Sequence, residues 1–373
     1  MVRPRREAEF ELWTETSVAA LDGAWDGLFA AGAGLQTSRA WFEASAVAAL
    51  PPAAEARFVA VAGAGGPLAL FPMIAGPGSR WGSLTTPYTC LYQPLFRPDA
   101  APDLLEAAAR SFAQECRRWP VTRLEALDPE WPGLAPLQAG LRAAGLAVRS
   151  FTHFANWHAA IPQSSWQAYL STRPGALRET IRRKMRAATR AGDIEIDIAR
   201  SGPSLVAALA AYEEVYARSW KESEPFPRFN DTLARALADS GVLRIAVMRR
   251  AGVPIAAQYW TVIGRSATVL KLAHDEAFKS LSPGTVLTAT AIKALIETDS
   301  VEDLDFGRGD DPYKRAWTGQ RRLRIGLLAL NLRTPGGLGA LARHDGGRAV
   351  RGARARWTGL RAGPSLPANS SEG

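Results

Sequence analysis

The chain has 373 residues, of which 47% are hydrophobic and 22% are charged, a composition that is typical of a folded globular protein and excludes a fibrous or wholly disordered chain. Its formal net charge of +9 comes mainly from arginine, because only six of the 45 basic residues are lysines. A nucleic acid, a membrane surface or a phosphorylated cofactor would fit this charge. No apolar run approaches the roughly 18–20 residues of a membrane-spanning helix, and no signal region follows the N-terminal basic residues, so we expect a cytoplasmic protein.

The first half of the chain alternates strand and helix patterns. These patterns predict a strand at 8–16, helices at 17–33 and 39–50 (the second capped by Ser38), a hairpin at 56–74, loop and short strand at 81–96, a helix at 101–118, a strand at 122–127, a helix at 134–144 and a strand at 147–157. This order indicates an α/β fold.

A similar order begins again after Ile161. The predicted elements are helices at 166–170 and 174–191, a strand at 194–199, helices at 204–220 and 231–240, an antiparallel meander at 243–249, 255–263 and 267–273, a helix at 285–298, and strands at 301–306 and 323–332. The two halves therefore resemble a duplication of one α/β plan. In the tail after Thr334, residues 343–361 are compatible with a basic helix, and disorder is expected from Gly363 onward.

The stretch Asp305-Phe-Gly-Arg-Gly-Asp-Asp-Pro-Tyr-Lys-Arg-Ala-Trp317 is the most informative part of the sequence. A structural turn needs little more than its glycines and proline, but this one also carries acid, phenol and amine groups at the end of a predicted strand. Loops at such positions commonly present chemistry. We therefore interpret it as one edge of an active site, with a fold-defining turn as the alternative.

Three other features are candidates for binding. Arginines at i, i+4 spacing form one stripe of the helix at 174–191, beside an apolar stripe, and indicate either a solvated face or an anionic partner such as a cofactor phosphate, RNA or lipid. The loop 274–284, with Ser282-Pro-Gly284, leads into a helix N-terminus, a geometry that binds phosphate well. Tyr212, Tyr216 and Trp220 share one helix face, as a core stripe or as a pocket wall.

The cysteines and histidines do not indicate a metal site. Cys90 and Cys116 have no metal-ligand spacing and are expected to be reduced thiols. The four histidines are scattered along the chain. His274, beside Asp275, is either a polar contact or a general base.

The Asp305-Phe-Gly-Arg-Gly-Asp motif with Tyr313-Lys314 and Trp317, together with Ser282-Pro-Gly284 and Arg182-Arg-Lys184, resembles the CelD/BioF-like acyltransferase domain of the GNAT superfamily. That family is related to FemAB-type aminoacyl transferases, which carry two GNAT-like domains. The resemblance implies two GNAT-like halves, each a mixed, largely antiparallel sheet flanked by helices. The predicted domains are a degenerate GNAT-like domain at 1–157, an acyltransferase domain at 158–335 and a basic, partly disordered tail at 336–373.

The resemblance also implies roles for particular residues. Lys314, Tyr313, Asp305 and Asp310 are the candidate catalytic residues, for neutralising an oxyanion or a donor phosphate, protonating a thiolate and accepting an amine proton. Ser282, Gly284, Thr285, Arg182 and Arg183 are the candidate acyl-CoA contacts, and Trp220, His274, Gly309 and Trp317 are the candidate substrate contacts. Only Gly284 fits the usual GNAT phosphate loop, which has several glycines and basic residues.

The predicted function is therefore transfer of an acyl group from acyl-CoA, such as acetyl-CoA, to an amine on a small molecule or sugar, in cell-surface polysaccharide production. One alternative is a FemAB-like transferase that uses aminoacyl-tRNA and meets RNA through the basic helix. A second alternative is a non-catalytic accessory protein of an envelope polysaccharide system. Peripheral membrane association is compatible with all three functions, and no metal is expected.

Overall fold

The computed structural model describes residues 10–32, 34–78, 80–161 and 165–347. The first half contains β1 Glu11–Glu15, α1 Asp26–Ala30, α2 Arg39–Ala48, β2 Glu55–Gly63, β3 Gly66–Gly76, β4 Arg80–Ser83, β5 Leu95–Phe96, α3 Pro102–Cys116, β6 Val121–Leu127, α4 Leu134–Ala143 and β7 Ala147–Ala160. The second half contains α5 Trp166–Ser171, α6 Gly175–Ala191, β8 Ile194–Ala199, α7 Gly202–Ala217, α8 Arg228–Leu237, β9 Leu243–Arg250, β10 Val253–Ile263, β11 Ser266–His274, α9 Pro283–Glu297, β12 Asp303–Arg308, α10 Pro312–Thr318 and β13 Gln320–Leu330. A further helix, α11, covers 335–347.

Most predicted helices and strands are confirmed. Hydrogen bonds from side chains explain why the prediction of α2 is right and that of the helix before it is wrong. Ser38 caps α2 as predicted, because its hydroxyl accepts a hydrogen bond from the backbone N–H of Trp41 at 3.2 Å. The single helix predicted at 17–33 is wrong. The side chains of Ser17 and Asp22 each accept a backbone N–H two residues later, which starts separate 3-10 turns before the short α1.

Two further predictions concern segments near the C-terminus. The motif at 305–317 is not a simple turn, because Asp311 caps a short helix, α10, that begins with Pro312. The predicted helix at 343–361 overlaps α11 as far as residue 347, and the rest of the tail lies outside the described residues.

The two halves repeat one order of elements. In each half, a first strand is followed by helices and then by three antiparallel strands. A helix then leads to a further strand, which pairs in parallel with the last of these three. The parallel pair is β4 with β6 in the first half and β11 with β12 in the second. The last strands are exchanged. Strand β7 of the first half pairs with β12, and strand β13 of the second half pairs with both β6 and β7.

This exchange joins the thirteen strands of the described residues into one mixed sheet, whose main path runs β1-β2-β3-β4-β6-β13-β7-β12-β11-β10-β9-β8. The predicted mixed α/β fold class, with sheet strands flanked by helices, is confirmed. The predicted domain division at 157/158 stays a prediction, and it falls inside β7.

The apolar cores follow this arrangement. One core cluster joins α2, α7 and α8 to faces of β2, β3, β9 and β10, so that it includes both halves; within it the rings of Trp41 and Phe229 lie 5.3 Å apart. Another packs α5, α6 and α9 on the sheet of the second half, and a third packs α3 and α4 on that of the first. Since a buried Phe or Leu contributes about 1.5–3 kcal/mol, the shared cluster holds the halves together.

None of the helices in the described part of the chain combines the length and apolar character that a bilayer-spanning segment requires.

Candidate active site

Strands β11 and β12 pair for only three residues and then separate. Their parallel pairs are Ser266 with Asp303, Ala267 with Leu304 and Thr268 with Asp305. Strand β11 continues to His274, and from Val269 onward its edge facing β12 has no strand partner among the described residues. This split leaves a backbone edge whose N–H and C=O groups are available to a ligand.

A cavity of about 650 Å³ opens at the split on the side of α9, and we call it the α9 cavity. Seven of the residues predicted from the sequence line it: Trp220, His274, Ser282, Gly284, Thr285, Tyr313 and Lys314. The structure therefore brings together side chains that are distributed over nearly 100 positions of the sequence.

The start of α9 faces this cavity with its positive end. Ser282 precedes the helix in the left-handed conformation, with φ of 54°, and Pro283 is its first residue. A non-glycine residue in this conformation is strained, and such strain is often found at ligand sites. The basic helix α6 is tied to this corner because Lys184 Nζ donates a hydrogen bond to the backbone oxygen of Ser280. Helix dipole and nearby ammonium group both favour an anion here.

Trp220 and His274 form one wall of the α9 cavity, with ring centroids 4.4 Å apart. His274 Nε2 lies 3.2 Å from the carboxylate of Glu276. Burial lowers the pKa of His274 below its usual value, which favours the neutral ring at neutral pH. This placement makes His274 part of an aromatic wall rather than a fixed cation.

Asp305 holds the turn after β12 together. Its carboxylate accepts hydrogen bonds from Asn156 Nδ2 at 2.7 Å, from the N–H of Gly307 at 2.6 Å and from Arg322 Nη2 at 2.6 Å. Its lone pairs are therefore largely occupied by donors within the protein. This arrangement fits a positioning role for Asp305 better than proton abstraction.

The Lys314 ammonium group lies in space that a side chain at Gly309 would restrict. Gly309 has φ of +123°, and a Cβ atom there would lie 3.1 Å from Lys314 Nζ. Lys314 donates to the backbone oxygen of Arg308, and its Nζ lies 3.7 Å from Asp311 Oδ2. Glycine thus leaves room for the Lys314 ammonium group at the split. The predicted substrate contact of Gly309 stays a prediction.

Tyr313 ends a buried chain of hydrogen bonds. Trp260 Nε1–H donates to Gln258 Oε1 at 2.9 Å, and Gln258 Nε2–H donates to Thr288 Oγ1 at 2.6 Å. Thr288 Oγ1 lies 2.6 Å from Tyr313 Oη. Indole only donates, which fixes the direction of the first two hydrogen bonds, whereas either hydroxyl can donate in the third. Burial raises the pKa of Tyr313 to about 12, so the phenol stays protonated in the wall of the α9 cavity.

The remaining predicted residues lie elsewhere. Trp317 is fully buried in the second-half core and lines none of the cavities at the split. Asp310 lies on the surface, where Arg321 and the indole N–H of Trp157 bind it and lower its pKa. Arg182 and Arg183 are exposed on α6, with Arg182 paired to Glu179. The α6 residue that reaches the loop before α9 is Lys184.

A buried cluster beside the split is not apparent from the sequence. Lys271 Nζ lies 2.7 Å from Glu224 Oε1, and Tyr88 Oη donates to Glu224 Oε2 at 2.7 Å. The ammonium group also lies 3.8 Å from the centroid of the Tyr88 ring. Lys221 lies close enough to feel these charges, and burial lowers its pKa to about 8. The only sequence signal is the acidic and basic loop 221–227, because Tyr88 and Lys271 come from distant strands and loops.

Two more cavities adjoin the split on the side where the halves meet. One, of about 140 Å³, is mostly apolar and is called the apolar cavity below. The other, of about 220 Å³, is called the inter-half cavity, and its polar walls include Asp128, Asp305, Arg322 and Arg324. Cys90 and Leu270 line both. The split is thus accessible from the α9 side and from between the halves.

In the described residues of the first half, the corresponding gap between strands is filled. Strands β4 and β6 also separate after a short parallel pairing, Trp81 with Thr122 and Gly82 with Arg123. There, however, the chain itself fills the gap, because the N–H of Tyr92 donates to the oxygen of Ala126 and Tyr92 is buried. The second half therefore carries the accessible site.

Residues 175–315 match the sequence model of the acetyltransferase (GNAT) domain family. This segment includes the split, α9, the Asp305 motif as far as Arg315 and most of the buried cluster. The second half therefore carries a GNAT-type acyltransferase domain, as predicted from its motifs, and its class of chemistry is acyl transfer.

Two solved structures share the fold of nearly the whole chain. One is described as the crystal structure of FemX, with a TM-score of 0.55 and 11% identity over 82% of this chain and 95% of that one. The other is a conserved protein of unknown function from Bacteroides thetaiotaomicron, with a TM-score of 0.53 and 10% identity over 86% and 100%. At these identities the likeness concerns the fold. A search of curated protein sequences gives no significant match.

Proposed function

We propose that this protein is an N-acyltransferase that moves an acyl group from acyl-CoA to an amine acceptor. The observation that carries the proposal is the split between β11 and β12, which the α9 cavity enters from one side and two further cavities approach from the other. A donor and an acceptor reaching the split from opposite sides can react directly, without a covalent enzyme intermediate.

The residues present fit the donor. The first turn of α9 and Lys279, which line the α9 cavity, suit the phosphates of CoA, and the unpaired edge of β11 suits the amides of its pantetheine arm. The volume of about 650 Å³ lies in the usual range for small-molecule sites. Acyl-CoA supplies the thioester whose carbonyl carbon is attacked.

Four side chains are assigned to the chemistry. Lys314 and Lys271 place ammonium groups at the split, where they stabilise the oxyanion that forms when the amine adds to the carbonyl carbon. Tyr313 donates a hydrogen bond to the sulfur as the C–S bond breaks. Lys221, with a pKa of about 8, accepts the proton that the amine loses as the C–N bond forms. Asp305 and Asp310 are left out because arginine and other donors already bind them.

The acceptor is proposed to reach the split through the inter-half cavity. Its carboxylate–guanidinium pairs, Asp128 with Arg324 and Asp305 with Arg322, present fixed acceptors and donors. Such walls suit a hydroxyl-rich molecule, which supports an amino sugar or a precursor of a surface polysaccharide.

Aminoacyl-tRNA is the second candidate donor, and the exposed arginines of α6 favour it. Arg178, Arg182, Arg183, Arg186 and Arg190 are all exposed, and Lys184 on the same helix contacts the loop at the α9 cavity. This surface would serve the phosphate backbone of an RNA as well as the phosphates of CoA.

Calorimetric titration with CoA, acetyl-CoA and charged tRNA tests the proposal. We expect acyl-CoA to bind, and Thr285→Glu to weaken it at least about tenfold, because a carboxylate is added beside the phosphates. Thr290→Glu, on the same helix but outside the α9 cavity, is the matched control and should leave the Kd unchanged. If only charged tRNA binds, and its affinity falls steeply with salt, aminoacyl-tRNA would replace acyl-CoA as the proposed donor. Binding of neither would favour the non-catalytic accessory role.

A further inference from the structure

The apolar cavity continues from the split into the core that the halves share. The residues at its inner end are Trp41, Phe229, Leu233, Ala234, Leu243 and Tyr259. All six are at most 4% exposed and belong to one core cluster. The buried amide of Asn230 also lines the cavity, but this mainly apolar inner end favours apolar groups over water.

This cavity adjoins the α9 cavity at the split itself. Five residues line both: Val269, Leu270, Lys271, Phe306 and Lys314. A molecule that extends from the α9 cavity through the split therefore enters the apolar cavity directly, with its middle beside Lys271 and Lys314.

The volume of about 140 Å³ indicates the size of the occupant. An engineered protein cavity of roughly 150 Å³ binds benzene, so a group of about six carbons fits here. The methyl of an acetyl group would leave most of this space empty and its walls without contacts.

Charge at the mouth distinguishes the acyl group from the acceptor as occupant. The mouth carries the ammonium groups of Lys271 and Lys314 and the side chain of Arg308. The nearby carboxylate of Glu224 is already bound by Lys271 and Tyr88. A carbonyl oxygen accepts hydrogen bonds from these donors, whereas an acceptor that arrives as an ammonium ion finds no carboxylate among the residues that line this cavity. The inter-half cavity remains as the acceptor route.

We propose that the apolar cavity holds the hydrocarbon part of the acyl group, and that this enzyme uses acyl groups of about four to eight carbons, or benzoyl, in preference to acetyl. This inference rests on the proposed function. It makes Ala234 and Leu233, on α8, determinants of acyl-chain length.

Calorimetric titration of the full chain with CoA, acetyl-CoA, hexanoyl-CoA and benzoyl-CoA tests it without knowledge of the acceptor. Each buried methylene is worth up to about fourfold in affinity, so hexanoyl-CoA and benzoyl-CoA should bind at least about tenfold tighter than acetyl-CoA. Ala234→Leu fills the cavity and should remove this advantage while the Kd of acetyl-CoA stays within about twofold.

Ala208→Leu is the matched control, because Ala208 is buried in the same core cluster but does not line the apolar cavity. It should leave the preference for hexanoyl-CoA unchanged. Should Ala234→Leu fail to fold, Leu233→Ala gives the opposite change: it enlarges the cavity and should shift the tightest binding toward octanoyl-CoA.

The outcomes separate the two proposals. Equal affinities for acetyl-CoA and hexanoyl-CoA would overturn the acyl-chain assignment and leave acyl transfer from CoA standing. A preference for hexanoyl-CoA that both the Ala234 and the Leu233 variants leave intact would place the chain elsewhere and also overturn the assignment. Absence of binding by CoA and every acyl-CoA would overturn both proposals.

Discussion

The buried pair of Lys271 and Glu224 links the stability of the fold to the chemistry of the split. Its two side chains are 9% and 11% exposed, and Nζ lies 2.7 Å from Oε1. At this distance the attraction is about 6 kcal/mol for an effective dielectric constant near 20, and desolvation of the ions offsets much of it. Removing one partner leaves the other charge buried and alone, so Glu224→Gln should lower the free energy of unfolding by about 3 kcal/mol near neutral pH.

The loss of unfolding free energy caused by Glu224→Gln should become smaller as the pH rises. Burial already lowers the pKa of Lys271, and loss of the Glu224 carboxylate lowers it further below the value of about 10.4 in the unfolded chain. Between the folded and unfolded pKa values the unfolded chain binds more protons, so the variant gains up to about 1.4 kcal/mol of stability per pH unit as the pH rises. The difference from wild type should therefore shrink as the pH rises from neutral toward the pKa of Lys271 in the folded wild type, which burial holds below its usual value.

Urea unfolding followed by tryptophan fluorescence measures both effects, with wild type, Glu224→Gln, Lys271→Met and the double variant at each pH. We expect the double variant to lose about 3 kcal/mol less than the sum of the single variants, because neither charge is then left alone. Asp231→Asn breaks the exposed pair with Arg235 and should leave the unfolding midpoint unchanged. Additive single losses that are also independent of pH would refute the reasoning.

Three predictions concern turnover. Tyr313→Phe should lower kcat about 100-fold by removing the hydrogen bond to the leaving sulfur, and the Kd for acyl-CoA should stay unchanged. The rate is measured as release of CoA. A loss of acyl-CoA affinity as large as the loss of kcat would contradict that role. Lys314→Ala should lower turnover at least about tenfold in the same assay, and a folded variant at the wild-type rate would exclude charge stabilisation by this residue. Because only the neutral amine of Lys221 accepts a proton, kcat should rise with pH and level off above about 8. Lys221→Met should lower kcat and abolish this rise of kcat with pH. A pH profile of kcat identical to that of wild type would mean that another group accepts the proton.

The local patterns of the sequence are sufficient for most elements and for one wall of the site. The four-residue spacing of arginines beside an apolar stripe predicts an α6 with an exposed basic face, as observed. Ser282-Pro-Gly284 predicts a helix start, and the motif after β12 predicts functional groups at a strand end. These predictions succeed because neighbours in sequence determine helix faces, caps and turns.

The same patterns do not determine which side chains face the split. Tyr212, Tyr216 and Trp220 have the spacing of one helix face, but α7 ends at Ala217. Tyr212 is fully buried in the core, and Trp220 is 50% exposed as a wall of the α9 cavity. Trp317 belongs to the motif in sequence, yet the formation of α10 places it in the core.

The sequence by itself determined the mixed α/β plan, its repetition, the basic helix and the chemical character of the turn after β12. Only the tertiary structure decided that β7 and β13 are exchanged, that the chain fills the gap in the first half, and that Tyr88, Glu224 and Lys271 meet beside the open gap of the second. The physical reason is that strand pairing and burial of charge depend on contacts between residues that lie tens to more than a hundred positions apart, and no local periodicity records such contacts.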